Sequence, residues 1–240
     1  NEMLHSEVVI NIDDALQSSV KILDIDEAMA YYEVRSEYSK QLGQALANEE
    51  DRNLMQLMCL AGRTNATQAD IKGGSQLSAA GADTDGQTLA DMIFNARQVM
   101  KEKDVPYNKG EWAFFTTPAM YSLLAMTKDI INKDWGGAGV YADGTVLRIA
   151  GFDIVETNHI PTTNITQKTG ENNKYYGDFS NTLGVCVSKG AVGTVRLKDL
   201  TVEMTTGDYN IENQAVLIVA KYLQGHGILE PRRAVELLKV

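Results

Sequence analysis

The chain has 240 residues, of which 44% are hydrophobic and 22% charged, enough for one large domain or two closely connected ones in a soluble globular protein. No apolar run reaches about 18 residues, which excludes a helical membrane span, and the start NEMLHSEVVI lacks the basic-then-apolar order of a signal peptide. A net charge of −10 and a pI near 4.8 argue against a surface devoted to phosphate backbones; they leave open an ordinary acidic surface or one that lies near nucleic acid without adhering.

Asn1 in place of an initiator Met predicts a preceding N-terminal segment. Over residues 7–23, Val8, Ile10 and Ile12 alternate with other residues and predict an extended ribbon. Asp13-Asp14 marks a bend, and residues 20–23 a return or continuation. This segment has too few apolar residues for its own core and is expected to rest on something else.

Residues 24–47 form one helical pattern without proline, continued by Leu54, Leu57, Met58 and Ala61. Asp24 or Asp26 suits its start, since a carboxylate accepts backbone N–H bonds at the positive helix end. Met29, Tyr32, Leu42, Ala45 and Leu46 form its stripe. Glu33, Arg35 and Glu37 read as solvated or inter-subunit charges. Asn48-Glu49-Glu50-Asp51 bends or interrupts the helix, and Gly62 stops it. A helix this long needs a large domain laid along it, or neighbouring subunits.

Residues 62–86, rich in Gly, Ala, Thr, Ser, Asn and Asp, read as a mobile loop or surface extension. A second helix starts near Asp85 or Thr88, with Leu89, Ile93, Ala96 and Met100 on one face; Thr88 and Asp91 resemble a capping box, and Val105-Pro106 ends it. Residues 112–117 are a buried strand. Thr117-Pro118 opens a third helix, with Tyr121, Leu124 and Met120 facing inward. Residues 133–144 are a glycine-rich loop, residues 146–160 a strand, a Gly-centred turn and a strand, and residues 164–173 a polar loop. Further strands are expected at 175–176, 183–187, 192–197, 200–204, 215–222 and 234–240. The fold class is α+β with mostly non-local strands.

Chemistry-bearing patterns fail in turn. There is no phosphate-cradling G-x-x-x-x-G-K-[ST] loop, no G-x-G-x-x-G among Gly136, Gly137, Gly139 and Gly144, and no G-x-S-x-G elbow. His5, His159 and His226 are far apart and form no ligand pair. Asp83-Thr84-Asp85-Gly86 is part of a calcium-loop pattern, but Gly81 and Met92 stand where ligands are required. His226, between Gly225 and Gly227, reads as a structural turn residue. Cys59 and Cys186 sit in apolar runs and read as buried thiols. No catalytic, cofactor or metal residues are assigned, and no enzyme is expected. The competing reading, an enzyme or binding module with a long helix and a cleft near Trp135 and the adjacent glycines, has no catalytic set to support it.

Four segments in register carry a resemblance: EAMAYYEVRSEYSKQLGQALA within residues 24–47, GFDIVETNHIP at 151–161, GAVGTVRLKDL at 190–200 and AKYLQGHGILEP at 220–231. Together they resemble the major capsid protein of short-tailed (podovirus, autographivirus-like) double-stranded DNA phages. The resemblance covers nearly the whole chain, with residues 62–86 and 164–173 matching poorly. It implies the tailed-phage major capsid fold of the Hong Kong ninety-seven type. On that pattern residues 1–22 are an N-arm remnant and extended-loop strand, 23–84 a peripheral domain with a spine helix, 85–200 an axial domain, 201–224 the peripheral return and 225–240 the axial C-terminal strand. It also implies a virion capsid of hexamers and pentamers, assembled in the host bacterial cytoplasm with a scaffolding protein, a portal at one vertex and packaged double-stranded DNA bound without sequence preference. Some relatives with this fold weld subunits through a loop Lys and a peripheral Asn. Asn213 lies near the Asn position, but the loop around Asp13-Asp14 has no Lys and Lys21 is closer to the helix, so no isopeptide cross-link is expected. An encapsulin-like cellular nanocompartment is the alternative on the same fold.

Overall fold

The computed structural model describes residues 7–30, 33–65, 72–127, 148–167 and 173–240. They fall into two compact units: one from the described residues of 1–9, 52–193 and 227–240, the other from those of 10–51 and 194–226.

The smaller unit, 10–51 with 194–226, is built on a three-stranded sheet. β1 (Asp14–Leu23) pairs antiparallel with β10 (Ala215–Ile228) along all ten of its residues, from Asp14 opposite Gln224 to Leu23 opposite Ala215. β9 (Val192–Met204) lies on the far side of β10. The expected bend at Asp13-Asp14 is therefore the start of a strand, and residues 20–23 continue it; the segment's few apolar residues suffice because a neighbour supplies the backbone partners. β9 is one strand of 13 residues where two were expected. Lys198-Asp199 interrupts the apolar pattern but not the backbone ladder.

α1 (Asp24–Met29) follows β1 directly. Its first turn holds Asp24, Asp26 and Glu27, but no side chain caps it; Leu23 is the N-cap, and the Asp24 amide donates to Gln214 O at 3.0 Å. The helix then stops, because Ala30 is extended at φ −76, ψ 139. α2 (Val34–Arg63) runs 30 residues, straight through Asn48-Glu49-Glu50-Asp51. The long helix thus breaks at Ala30 and not at the acidic run. Acidic residues without Gly or Pro do not end a helix when their side chains stay at its surface. Val34, Leu42 and Leu46 pack with Ile22, Val216, Ile218, Ala220 and Tyr222. Met29 and Ala45 are exposed, and Tyr32 lies outside the described residues. Arg35 pairs within the chain, its Nη2 donating to Glu27 Oε2 at 2.8 Å.

The larger unit, 52–193 with 227–240, carries a six-stranded sheet, order β2-β11-β8-β3-β5-β4. The strands are β2 (Ser75–Ala79), β3 (Trp112–Thr116), β4 (Arg148–Ile149), β5 (Phe152–Glu156), β8 (Thr182–Ser188) and β11 (Ala234–Lys239). A separate ribbon pairs β6 (Asn164–Ile165) with β7 (Gly177–Asp178). α3 (Gly86–Glu102) and α4 (Pro118–Met126) cover one face, where Leu89, Ile93, Ala96 and Met100 meet Trp112, Phe114, Leu124 and Phe152. On the other face Cys59 and Ala61 of α2 meet Val185, Val187, Phe179 and Ile160. With both faces covered, every residue of β8 is buried, and the central strands read as continuous apolar runs.

Three local expectations change here. Residues 75–79, assigned to a mobile loop, form β2, parallel to β11 from Ser75 opposite Val235 to Ala79 opposite Lys239. Asp85, not Thr88, caps α3: its carboxylate accepts from the Gln87 and Thr88 amides, and the Thr88 hydroxyl donates to it at 2.6 Å. Residues 173–175 are a turn of 3-10 helix where a strand was expected at 175–176. The turn inside residues 146–160 is as expected, with Ala150 and Gly151 at positive φ. The glycine-rich loop at 133–144, with Trp135, lies outside the described residues.

Candidate assembly surfaces

In the larger unit, α2 is fastened to the sheet by one ion pair. Glu236 of β11 is fully buried. Its Oε2 accepts from Arg63 Nε at 2.7 Å and Gln76 Nε2 at 2.9 Å; its Oε1 accepts from Arg63 Nη2 at 2.6 Å and Thr182 Oγ1 at 2.7 Å. Arg63 also donates to Asp178 O at 2.7 Å and stacks 4.7 Å from the Phe179 ring centroid. Hydrogen bonding to Glu236 raises the guanidinium pKa further. Two oxygens with four donors satisfy the buried carboxylate, the condition under which such a charge is tolerated. Gly62 sits beside this pair, and a Cβ there would lie 3.0 Å from Glu236 N and 3.2 Å from Ser75 O. That glycine permits close packing, and the helix ends one residue later, at Arg63. Sequence reading missed the pair because its partners are 173 residues apart. The available signal was a lone Glu inside the apolar run AVELLKV.

The smaller unit presents a surface of another kind. Even-numbered β10 residues from 216 to 224 are buried, whereas Leu217, Val219, Lys221 and Leu223 on the opposite face are half-buried. β9 is an edge strand whose residues from 196 onward are all exposed; Leu197, at 64%, is among the barest, with Val195, Leu200, Val202 and Met204 also open. A long edge strand with several bare apolar side chains is the kind that isolated monomers avoid and assemblies cover.

Between α2 and the sheet of this unit lies a cavity of about 170 Å³, lined by Gly43, Leu46, Ala47, Glu50, Arg196, Lys198, Leu200 and Tyr222. Arg196 Nη2 donates to Glu50 Oε1 at 2.8 Å and its Nε to Gln224 Oε1 at 3.1 Å. Tyr222 is 8% exposed, and its hydroxyl is buried with no hydrogen-bond partner among the described residues. Burial, then the Glu50 carboxylate, pushes its phenol up to about 12, so the group keeps its proton at neutral pH. No sequence pattern signals this cavity, since a Tyr on a buried strand face reads as ordinary core.

The residues weighed earlier for chemistry stay apart. His226 lies within β10, not in a turn, buried with Nδ1 2.8 Å from Thr194 Oγ1 and Nε2 3.1 Å from Gln224 Nε2. Gly225 allows close packing, since a Cβ there would strike Asn11 O at 2.1 Å. His5 lies outside the described residues. Asp83-Thr84-Asp85-Gly86 leads into the α3 cap, and no group of three or more His, Cys, Asp or Glu able to hold a metal occurs among the described residues. Cys59 and Cys186 are free and buried, and burial pushes both thiols up. Asn213 ends α5 (Asp208–Asn213) and donates to Tyr209 O at 3.0 Å, while Lys21 lies in β1 opposite Leu217.

This architecture is that of tailed-phage shell proteins. The capsid structure of cyanophage P-SCSP1u matches all of the chain and 78% of its own, with a TM-score of 0.89 and 36% identity. The mature capsid of bacteriophage PhiM1 shares the fold, with a TM-score of 0.78 at 21% identity over all of this chain and 76% of that one. The profile of the family described as Gp10A-like major capsid protein matches residues 1–238, and the chain belongs to that family. It is 30% identical to the major capsid protein of Enterobacteria phage T3 over 97% of its length and 73% of the relative's. The same figures hold for the major capsid protein of Escherichia phage T7. The protein is therefore a phage major capsid protein, a structural component of an icosahedral virion shell and not an enzyme.

Proposed function

We propose that the chain assembles as hexamers and pentamers that enclose packaged double-stranded DNA. Assembly takes place in the host bacterial cytoplasm with a scaffolding protein, and a portal protein occupies one vertex. The observation that carries this reading is the edge strand β9, long, with Val195, Leu197, Leu200, Val202 and Met204 exposed and no strand beside its outer edge among the described residues, in a chain whose relatives build shells. Many identical contacts, each weak, sum to a strong closed shell. On this reading residues 23–84 and 201–224 form the peripheral domain, with α2 as the spine helix, and residues 85–200 and 225–240 the axial domain. The net charge of −10 suits an inner face that limits adhesion to DNA during packaging, with no sequence-specific contact and no membrane partner.

The cellular nanocompartment reading is weaker. A virus-like particle from Pyrococcus furiosus shares the fold at a TM-score of 0.55 and 15% identity, whereas the resemblance in sequence is to phage shells. Electron microscopy of the full-length protein co-expressed with its scaffolding protein tests the proposal. Closed icosahedral shells of uniform diameter are expected; dispersed monomers or small fixed oligomers would overturn it.

A further inference from the structure

We infer that the cavity between α2 and β9 is a socket for a carboxylate side chain from a second copy of the chain. The inference rests on the assembly reading above and names one contact within it.

The lining supplies what such a group needs. Leu46, Ala47, Leu200 and Gly43 give an apolar wall for a methylene stem. Lys198 lines the same space with no ion pair of its own among the described residues. Arg196 is held by Glu50 and Gln224, which fixes one cation at the wall and neutralises Glu50. Counting Arg196, Lys198 and Glu50, the lining is net positive, although the chain as a whole carries −10. Asp14 and Glu49 lie close enough to help push the Tyr222 phenol up, but neither lines the cavity.

The second observation is Tyr222. A buried hydroxyl without an acceptor loses about 1–3 kcal/mol of solvation without return, and native structures keep few such groups without a reason. This one belongs to a residue that lines a cavity roomy enough for a carboxyl group. Its hydroxyl is sealed from solvent, so an occupant reaches it only as the Lys198 arm, which has no ion pair among the described residues, swings aside while Arg196 stays anchored to Glu50 and Gln224. The phenol donates and the ammonium adds a charge-assisted bond; amides and hydroxyls can accept both, but a carboxylate also brings the charge that the net positive lining favours. A second copy is the occupant that charge and assembly favour, because an acidic chain presents carboxylates to every neighbour in the shell.

The test uses shells assembled from an equal mixture of unlabelled and 15N-labelled full-length chain. Carbodiimide treatment joins an ammonium to a carboxylate it touches. The expected product is a mixed-isotope peptide linking Lys198 to an Asp or Glu, present in shells and absent from unassembled chain. Shells that give other mixed-isotope links but none through Lys198, or Lys198 links confined to single copies, overturn the socket and leave the assembly reading standing. If wild-type chain forms no shells, both fall. Tyr222→Phe gives a second readout. It should leave the melting temperature of unassembled chain unchanged or raised, since it removes an unpartnered hydroxyl, and should lower by several degrees the temperature at which shells shed subunits. Equal shifts in both states, or none in shells, would show that the hydroxyl meets nothing in the neighbour.

Discussion

Glu236 shows how one side chain can decide whether an element stays in place. Arg63→Ala removes two of its four donors and leaves a carboxylate buried at 0% exposure. Stranding a buried charge costs about 3–5 kcal/mol, so urea unfolding of the unassembled chain should show a loss of that size. A loss under about 1 kcal/mol would mean that water reaches the site. Glu230 gives a pH signature of smaller size. Burial opposes its ionisation, but Arg233 and Arg232 outweigh burial and hold its carboxyl below the usual carboxylate range. A depressed folded value stabilises the fold above the unfolded pKa, and that stability is lost as pH falls through the folded value. Glu230→Gln should therefore lower the melting temperature at neutral pH and converge with wild type in acid, below the ordinary carboxylate range. A constant difference at all pH values would assign the effect to packing.

Among elements, the buried ones were readable and the paired ones were not. β3, β8 and β11 are covered on both faces or centrally placed, so their residues form apolar runs visible without partners. The α3 stripe was equally plain, since Leu89, Ile93, Ala96 and Met100 are all buried. β2, by contrast, is SQLSA, with Leu77 its one large apolar residue, and it exists because β11 offers it backbone partners. That partner arrives some 160 residues later in the chain, beyond the reach of local pattern. β9 was split in two for a related reason: an exposed edge keeps no apolar alternation across Lys198-Asp199. The shell-forming role was legible through four segments resembling a family; the Tyr222 cavity was not, because cavities arise from spacing between elements. Gly62→Ala tests the fit of α2 to β11. The added methyl meets backbone at 3.0 and 3.2 Å, and overpacking of this kind costs about 1–3 kcal/mol. Thermal unfolding should show that loss, whereas Gly43→Ala, with nothing within 4 Å of the new methyl, should match or exceed wild type, as expected for Ala in a helix.

Over the whole molecule, both units are assembled from distant stretches of chain. Residues 10–51 meet 194–226, and 52–193 meet 227–240. Such discontinuity raises the entropy of closing each core, so folding is slower than in a protein of local contacts. The six-stranded sheet depends most on this, because β11 lies between β2 and β8 and buries Val235, Glu236 and Leu237. A chain stopped after Leu229 should stay open to brief protease digestion within β2, β3 and β8, where the 240-residue chain resists. Equal resistance would show that the sheet closes without β11.

The place of β11 also sets a clock on biosynthesis. Every other strand of that sheet leaves the ribosome earlier and must wait for residues 234–239. A polypeptide released too soon never acquires the Arg63–Glu236 clasp and keeps β2 and β8 unjoined. Chains that stop before residue 234 are therefore expected to expose the unpaired edges of β2 and β8 and to be digested faster than the 240-residue chain.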